Sequence, residues 1–298
     1  MTAVVVGGAN VDVIAASTGP LLHGVSNPGR IRISAGGAGR NVAENLARLG
    51  VSTRLIAAVD ARPMSDLAIE QAARAGVDVS GIIRVSGRGN YYTAIQSGGA
   101  VEWAVADMSA AESLTRDNLD VHASAIRAAD AVIIDANLAP ATIQRAAELA
   151  GGRRLCLLPV SSAKAPRIRA VLSKASLIVL SAGEAEVLTG ARIDTPKDAL
   201  GAARTIQPSP ASTVIITVGA QGLGWVAGEA LWIEPIAAPV VDPSGAGDAV
   251  AAVAVFALLT GMDPHQAARL AMIAASMTLS LEGATHPGLS LDALHARA

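Results

Sequence analysis

Asp242-Pro243-Ser244-Gly245-Ala246-Gly247-Asp248-Ala249, continued without a break by the apolar run to Leu259, is the stretch on which the reading of this sequence turns. The run from Ala249 reads as a buried helix that Gly261 stops. A Gly-Ala-Gly turn at its start lets the first backbone N–H groups point outward together, unobstructed by side chains, which makes a site for an anion such as phosphate. Asp248 then has two readings. It is a helix-start residue favoured by the dipole, or it is a base, because a carboxylate beside an anion is unfavourable unless it takes a proton from a nucleophile attacking that anion.

A second glycine turn, Ser34-Ala35-Gly36-Gly37-Ala38-Gly39-Arg40-Asn41, also opens a helix, but one with Asn41, Glu44 and Asn45 in its first turns. Its glycines let hydroxyl groups approach the backbone, and Asn41 offers both a donor and an acceptor, the mixed chemistry that a sugar needs. Upstream, Gly8-Ala9-Asn10-Val11-Asp12 places Asn10 and Asp12 just past the first strand, in the crevice where open parallel sheets bind ligands. Asp12 is suited to accept from two vicinal hydroxyls, or to form an Asx turn.

Around these turns, short β-branched runs alternate with Ala-rich helical patterns: Val4–Val6, Arg54–Ala57, Val132–Asp135, Leu155–Leu158, Leu177–Leu180 and Thr213–Val218. The repetition predicts an α/β fold with a mostly parallel sheet covered by helices on both faces. Helices are expected over Asn41–Leu49, stopped by Gly50, and over Ser65–Ala75, stopped by Gly76. Two segments, about 11–33 and 87–108, break the alternation with turn formers and alternating stretches such as Tyr91-Tyr92-Thr93-Ala94-Ile95-Gln96. They are expected to form a small extra sheet, a lid inserted into a single domain spanning 1–298; ordinary surface loops are the alternative.

Composition narrows the function. Of 298 residues, 51% are hydrophobic but only 2% aromatic, so the core is built from Ala, Val, Leu and Ile. A formal net charge of −2 and no Lys/Arg cluster argue against nucleic acid or anionic lipid as partner. The longest apolar stretch is far shorter than the roughly 20 residues of a membrane span, and Met1 leads into Val4-Val5-Val6 without a signal-like start. The lone Cys156 reads as a buried small hydrophobe, and a chain without a disulfide framework suits the cytoplasm. The P-loop pattern is absent. Gly222-Leu223-Gly224-Trp225-Val226-Ala227 matches the loose dinucleotide pattern, but the next residues, Gly228 to Ile233, read as a turn and a strand where a helix is required.

Together the two glycine turns carry a resemblance. Gly36-Gly37-Ala38-Gly39-Arg40-Asn41-Val42-Ala43 and Asp242 to Asp248 are similar, in order and separation, to the two signatures of the ribokinase-like (PfkB) carbohydrate and nucleoside kinases, and the chain resembles that family along nearly its whole length. The resemblance implies a three-layer sandwich with a β-sheet lid and phosphoryl transfer from ATP with Mg2+. Asp248 would deprotonate the acceptor hydroxyl, and the N–H groups of Gly245, Ala246 and Gly247 would hold the γ-phosphate. Asn10, Asp12, Gly37, Ala38, Asn41 and Tyr92 would bind the acceptor. Ser181, Thr217, Gly219 and Gly222 would bind the nucleotide, and Glu184 would order water around magnesium; related kinases often use potassium near the residues corresponding to Asp242, though the sequence itself assigns no monovalent cation.

Two departures stand out: Leu180-Ser181 where the family has Pro-Asn, and Pro243-Ser244 where it has Thr-Thr. Within the family, Ser26-Asn27-Pro28-Gly29-Arg30-Ile31, Ala106-Asp107-Met108-Ser109, Asp135-Ala136-Asn137 and Pro159-Val160-Ser161 look most like members acting on pseudouridine. That resemblance implies the 5′-hydroxyl of a C-linked ribonucleoside as acceptor, its base under the lid near Asn90, Tyr91 or Tyr92. Rival readings are a kinase for ribose, another sugar or another nucleoside, a non-catalytic regulator, and an oxidoreductase. Open lid edges add a homodimer paired through the lid.

Overall fold

The structure, a computed structural model, describes residues 1–98 and 100–298. Its strands are β1 (Thr2–Val6), β2 (Asn10–Ser17), β3 (Gly29–Gly36), β4 (Ser52–Asp60), β5 (Asp78–Val85), β6 (Tyr91–Ser97), β7 (Ala100–Asp107), β8 (Ala131–Asp135), β9 (Arg154–Leu158), β10 (Leu177–Ser181), β11 (Thr213–Thr217), β12 (Leu223–Ala227) and β13 (Glu229–Ile233). A nine-stranded sheet runs in the order β13-β12-β11-β10-β9-β8-β1-β4-β5. It is parallel from β11 to β5, and the β12–β13 hairpin adds an antiparallel edge.

The near-continuous apolar strands explain the three layers. Successive side chains point to opposite faces, so a strand buried on both faces must be apolar throughout. Val5, Leu55, Ile133, Cys156, Val179 and Ile215 face the helices Ala38–Arg48, Ala246–Thr260 and Pro264–Leu279. Val4, Val6, Ile56, Ile134, Leu157 and Ile178 face Pro140–Ala150, Ala182–Thr189 and Pro196–Ile206. Cys156 is buried and free, and burial pushes its thiol up to about 12. Among the described residues no helix is long and apolar enough to cross a membrane.

The expected lid is a separate four-stranded sheet, β3-β2-β6-β7. Asp12 pairs with Ser34 and Tyr92, and Tyr92 with Ala106, so these four share one face of it. The Asx turn considered for Asp12 is absent, because the residue lies inside β2. The helix after the first glycine turn starts at Ala38, earlier than the periodicity indicates, and Gly228 with β13 forms the turn and strand that rule out a dinucleotide fold.

Ionisable side chains lie fully inside the fold. Arg40 is 0% exposed and pairs with Glu44 at 2.6 Å. Its guanidinium also donates to the carbonyls of Gly36 (3.1 Å) and Ala35 (3.0 Å) at the end of β3, and to the Asn41 side-chain oxygen. Glu44 is further held by Arg48 and Thr285, each at 2.9 Å. Breaking such a pair from one side strands a buried charge. Glu44→Ala is therefore expected to cost about 3–5 kcal/mol in urea unfolding, whereas Glu70→Ala, which removes an exposed pair with Arg74, changes little; equal effects would contradict this picture of the core.

Candidate active site

The carboxyl ends of the central strands open into a cavity of about 590 Å³. Asn10, Asp12, Gly37, Ala38 and Tyr92 line one part of it, Ser181, Glu184 and Thr217 another, and Gly245, Gly247 and Asp248 lie between. The turn at Asp242–Asp248 takes its shape from Gly245. Its φ of +76° caps the helix Ala246–Thr260, and a Cβ there would sit 1.9 Å from the Ala284 carbonyl oxygen. Among the described residues the N–H groups of Gly245, Ala246 and Gly247 find no acceptor within the protein, the open first turn that an anion can fill. Gly37, at φ +100°, brings the other turn against Gly8, where a Cβ would lie 2.5 Å from the Gly8 oxygen.

Asp248 Oδ2 accepts from Asn41 Nδ2 at 2.6 Å. The Arg40 guanidinium fixes which end of that amide faces the carboxylate, because it binds the amide oxygen. Burial pushes the Asp248 carboxyl up to about 7; the Asn41 amide donor and the Arg40 charge pull against this, while the charges of Asp135 and Glu184 reinforce it. Burial likewise pushes Asp12 up to about 6, against Arg40 and the Asn10 amide, which donates to Asp12 at 2.6 Å.

Not every expected residue faces the cavity. Asn41 works from behind Asp248, and Ala246 contributes backbone only. Gly219 and Gly222 shape the turn after β11, closed by Val218 N–H to the Gly222 oxygen at 2.9 Å, without lining the cavity. Two suggestions for the base need correcting. Asn90 is 1% exposed and is spent on Ala9, Asp60 and Ser65, and the Tyr91 hydroxyl donates to Asp60 outside the cavity, so of the three only Tyr92 lines it.

Ser181, where the resemblance implies Asn, forms a capping box with Glu184. Ser181 N–H donates to Glu184 Oε2 at 2.9 Å and Ser181 Oγ accepts from Glu184 N–H at 3.4 Å. Glu184 Oε1 takes no protein donor among the described residues. Among those residues no three His, Cys, Asp or Glu side chains gather to hold a metal, and the open oxygen of Glu184 is placed to accept from a water bound to a cation. Beside Asp242 the fit to potassium is poor. Asp242 Oδ1 accepts from Ser244 N–H at 2.9 Å and Oδ2 from Arg32 at 2.5 Å and Gly283 N–H at 3.1 Å. Burial raises this carboxyl, but those donors outweigh it and hold it at about 2.

Sequence reasoning missed a buried relay. Asp135, at the end of β8, accepts from Gly8 N–H (2.7 Å) and Gly39 N–H (2.9 Å), which ties both N-terminal segments together and caps the helix Ala38–Arg48 from another strand. Asn137 bonds Asp135 and accepts from Lys164 Nζ at 2.6 Å. The Asp135-Ala136-Asn137 run was visible only as a resemblance, and nothing in the sequence singled out Lys164. In carboxyl-labelled protein, Asp248 is expected to titrate near pH 7 by 13C NMR and to move higher in Asn41→Ala, because the lost amide donor favours the charged form; titration near the ordinary ~4 would contradict the buried environment.

Known proteins resemble the chain over nearly its full length. The chain is 29% identical over 292 residues to pseudouridine kinase of Escherichia coli (strain K12), covering 97% of this chain and 93% of that one. It is 28% identical to guanosine-inosine kinase of Exiguobacterium acetylicum, covering 97% and 98%. A solved carbohydrate kinase from Agrobacterium tumefaciens superposes with a TM-score of 0.82 at 31% identity, covering 99% of this chain and 96% of that one. The sequence pattern of the pfkB family carbohydrate kinases matches residues 2–290, and the chain belongs to that family as a sugar or nucleoside kinase.

Proposed function

We propose that this protein transfers the γ-phosphoryl group of ATP, supplied as its magnesium complex, to the 5′-hydroxyl of a ribonucleoside, and that the nucleoside is pseudouridine. The observation that carries the transfer is Asp248, held by Asn41 beside the open N–H groups of Gly245, Ala246 and Gly247, in a cavity shared with Asn10 and Asp12. Similarity over nearly the full length of the Escherichia coli pseudouridine kinase supports the acceptor.

In this reading Asn10, Asp12, Gly37 and Ala38 bind the ribosyl group, and the base lies beneath the lid against Tyr92 and Met108. Ser181 and Thr217 receive the nucleotide, and Glu184 would hold the water shell of the magnesium. Magnesium supplies charge neutralisation on the triphosphate. As the acceptor oxygen attacks, its proton passes to Asp248, the new O–P bond forms and the β,γ bridging bond breaks toward ADP. The backbone N–H groups meet the charge on the transferring group. A lid closed over the acceptor keeps water out. The outer lid face carries exposed Ile31, Ile33, Trp103 and Val105 beside the unpaired edges of β3 and β7, which supports a dimer formed through the lid.

The test is magnesium-dependent ADP release across pseudouridine, uridine, inosine, guanosine, ribose and fructose, with product mass identified. Selective turnover of pseudouridine is expected; turnover of another acceptor alone would reassign the substrate, and silence across the panel would sink the proposal. Asp248→Asn should keep the fold and lose about 10²–10⁴-fold in turnover, and an unchanged rate would remove Asp248 from its role. Light scattering should find a dimer at micromolar concentration that Trp103→Glu dissociates; a wild-type monomer would refute the lid pairing.

A further inference from the structure

Lys164 has no part in the mechanism so far, yet it lines the cavity. Strand order fixes its place. Asn10 and Asp12 lie just past β1, Ser181 and Thr217 end β10 and β11, and β9 runs between these two groups. A triphosphate anchored over β10 and β11, with its γ-phosphorus facing an acceptor over β1, must cross the carboxyl end of β9. Leu158, Val160, Ser161 and Lys164 line the cavity there.

The charge balance singles out the same residue. Among the described residues lining the cavity, Asp12, Glu184 and Asp248 are carboxylates and Lys164 is the one cation. Its Nζ donates to the Asn137 amide oxygen at 2.6 Å, and it forms no ion pair among the described residues. An ammonium has three donors, so two are left for incoming oxygens. Burial disfavours this half-buried cation, Asp135 and Glu112 offset that only through space, and an anion in the cavity adds a direct partner.

The backbone shows strain at the same point. Val160, with φ +71°, is the non-glycine residue with positive φ among those described, and it is β-branched, the side-chain type least suited to that region. Strain of this kind persists where surrounding structure enforces it, as at ligand clamps. Here it turns the chain out of β9 into a turn in which the N–H groups of Lys164 (3.0 Å) and Ala165 (2.8 Å) close on the Ser161 oxygen, presenting Lys164 to the cavity.

The geometry points to Lys164 as a catalytic residue that binds an oxygen of the γ-phosphoryl group and meets the charge that builds during transfer, an assignment that rests on the kinase reading above. The acceptor oxygen forms its bond to phosphorus, the bridging bond breaks with its electron pair leaving on ADP, the acceptor proton goes to Asp248, and Lys164 keeps its own protons throughout. Asn137, tied to Asp135, holds the ammonium in place before the nucleotide arrives.

Calorimetric binding of MgATP and of MgADP to the wild type, Lys164→Met and Lys164→Arg separates this role from a structural one. Lys164→Met should weaken MgATP about tenfold or more and MgADP less than about threefold, because the lost charged hydrogen bond is made to the γ-phosphoryl group alone. Turnover should fall about 10²–10³-fold and recover in part in Lys164→Arg. Equal losses for the two nucleotides, or none, would overturn the assignment while leaving the kinase reading intact. A wild type that binds neither nucleotide would overturn both. If Lys164→Met does not fold, Lys164→Gln decides by the same comparison of the two nucleotides.

Discussion

The buried guanidinium of Arg40 is the contact on which the site depends. It joins the end of lid strand β3, through the Ala35 and Gly36 carbonyls, to the helix Ala38–Arg48, through Glu44, and to the Asp248 turn, through Asn41. A charge in the interior is tolerated only when paired and hydrogen-bonded, so the segments that satisfy it are held in one arrangement. That requirement holds the end of β3, the first glycine turn and the Asp248 turn in register before any ligand arrives, the preorganisation that the proposed transfer needs.

The fold was legible because its signals are local. Both glycine turns and the apolar strands announce themselves within a few residues, and the two stretches that break the alternation supply strands of the smaller sheet. Edge strand β5 (Asp78–Val85) escaped notice because Gly81 and half-exposed polar positions blur its alternation, and the start at Ala38 escaped because its cap is Asp135 from another strand, not a neighbouring side chain. What the site owes to tertiary contact could not be read. Composition would put Arg40 on the surface, Lys164 gains its position only from strand order, and Tyr91 and Tyr92 are indistinguishable until the pairing of β2 with β6 sends their side chains to opposite faces.

The electrostatics of the cavity fit a site that is complete only when occupied. Among the described residues, three carboxylates face a space with one ammonium and a set of open backbone N–H groups. Burial lifts Asp248 to about 7, which places it between carrying a proton and accepting one. At Asp242, where the surroundings supply Arg32 and two backbone donors, the same kind of side chain is held at about 2. Position in a hydrogen-bond network, more than residue type, separates the carboxylate proposed as the base from the structural one.

If Asp248 and the Gly245–Gly247 turn deliver a phosphoryl group, it must reach a nucleoside hydroxyl and not water. The most direct test traces the label from ATP carrying 32P in the γ position, incubated with the protein, magnesium and pseudouridine. The label is expected on the 5′-oxygen of the nucleoside, with little inorganic phosphate released when the nucleoside is withheld. Label that remains in ATP, or that emerges as inorganic phosphate irrespective of the nucleoside, would contradict the proposed transfer.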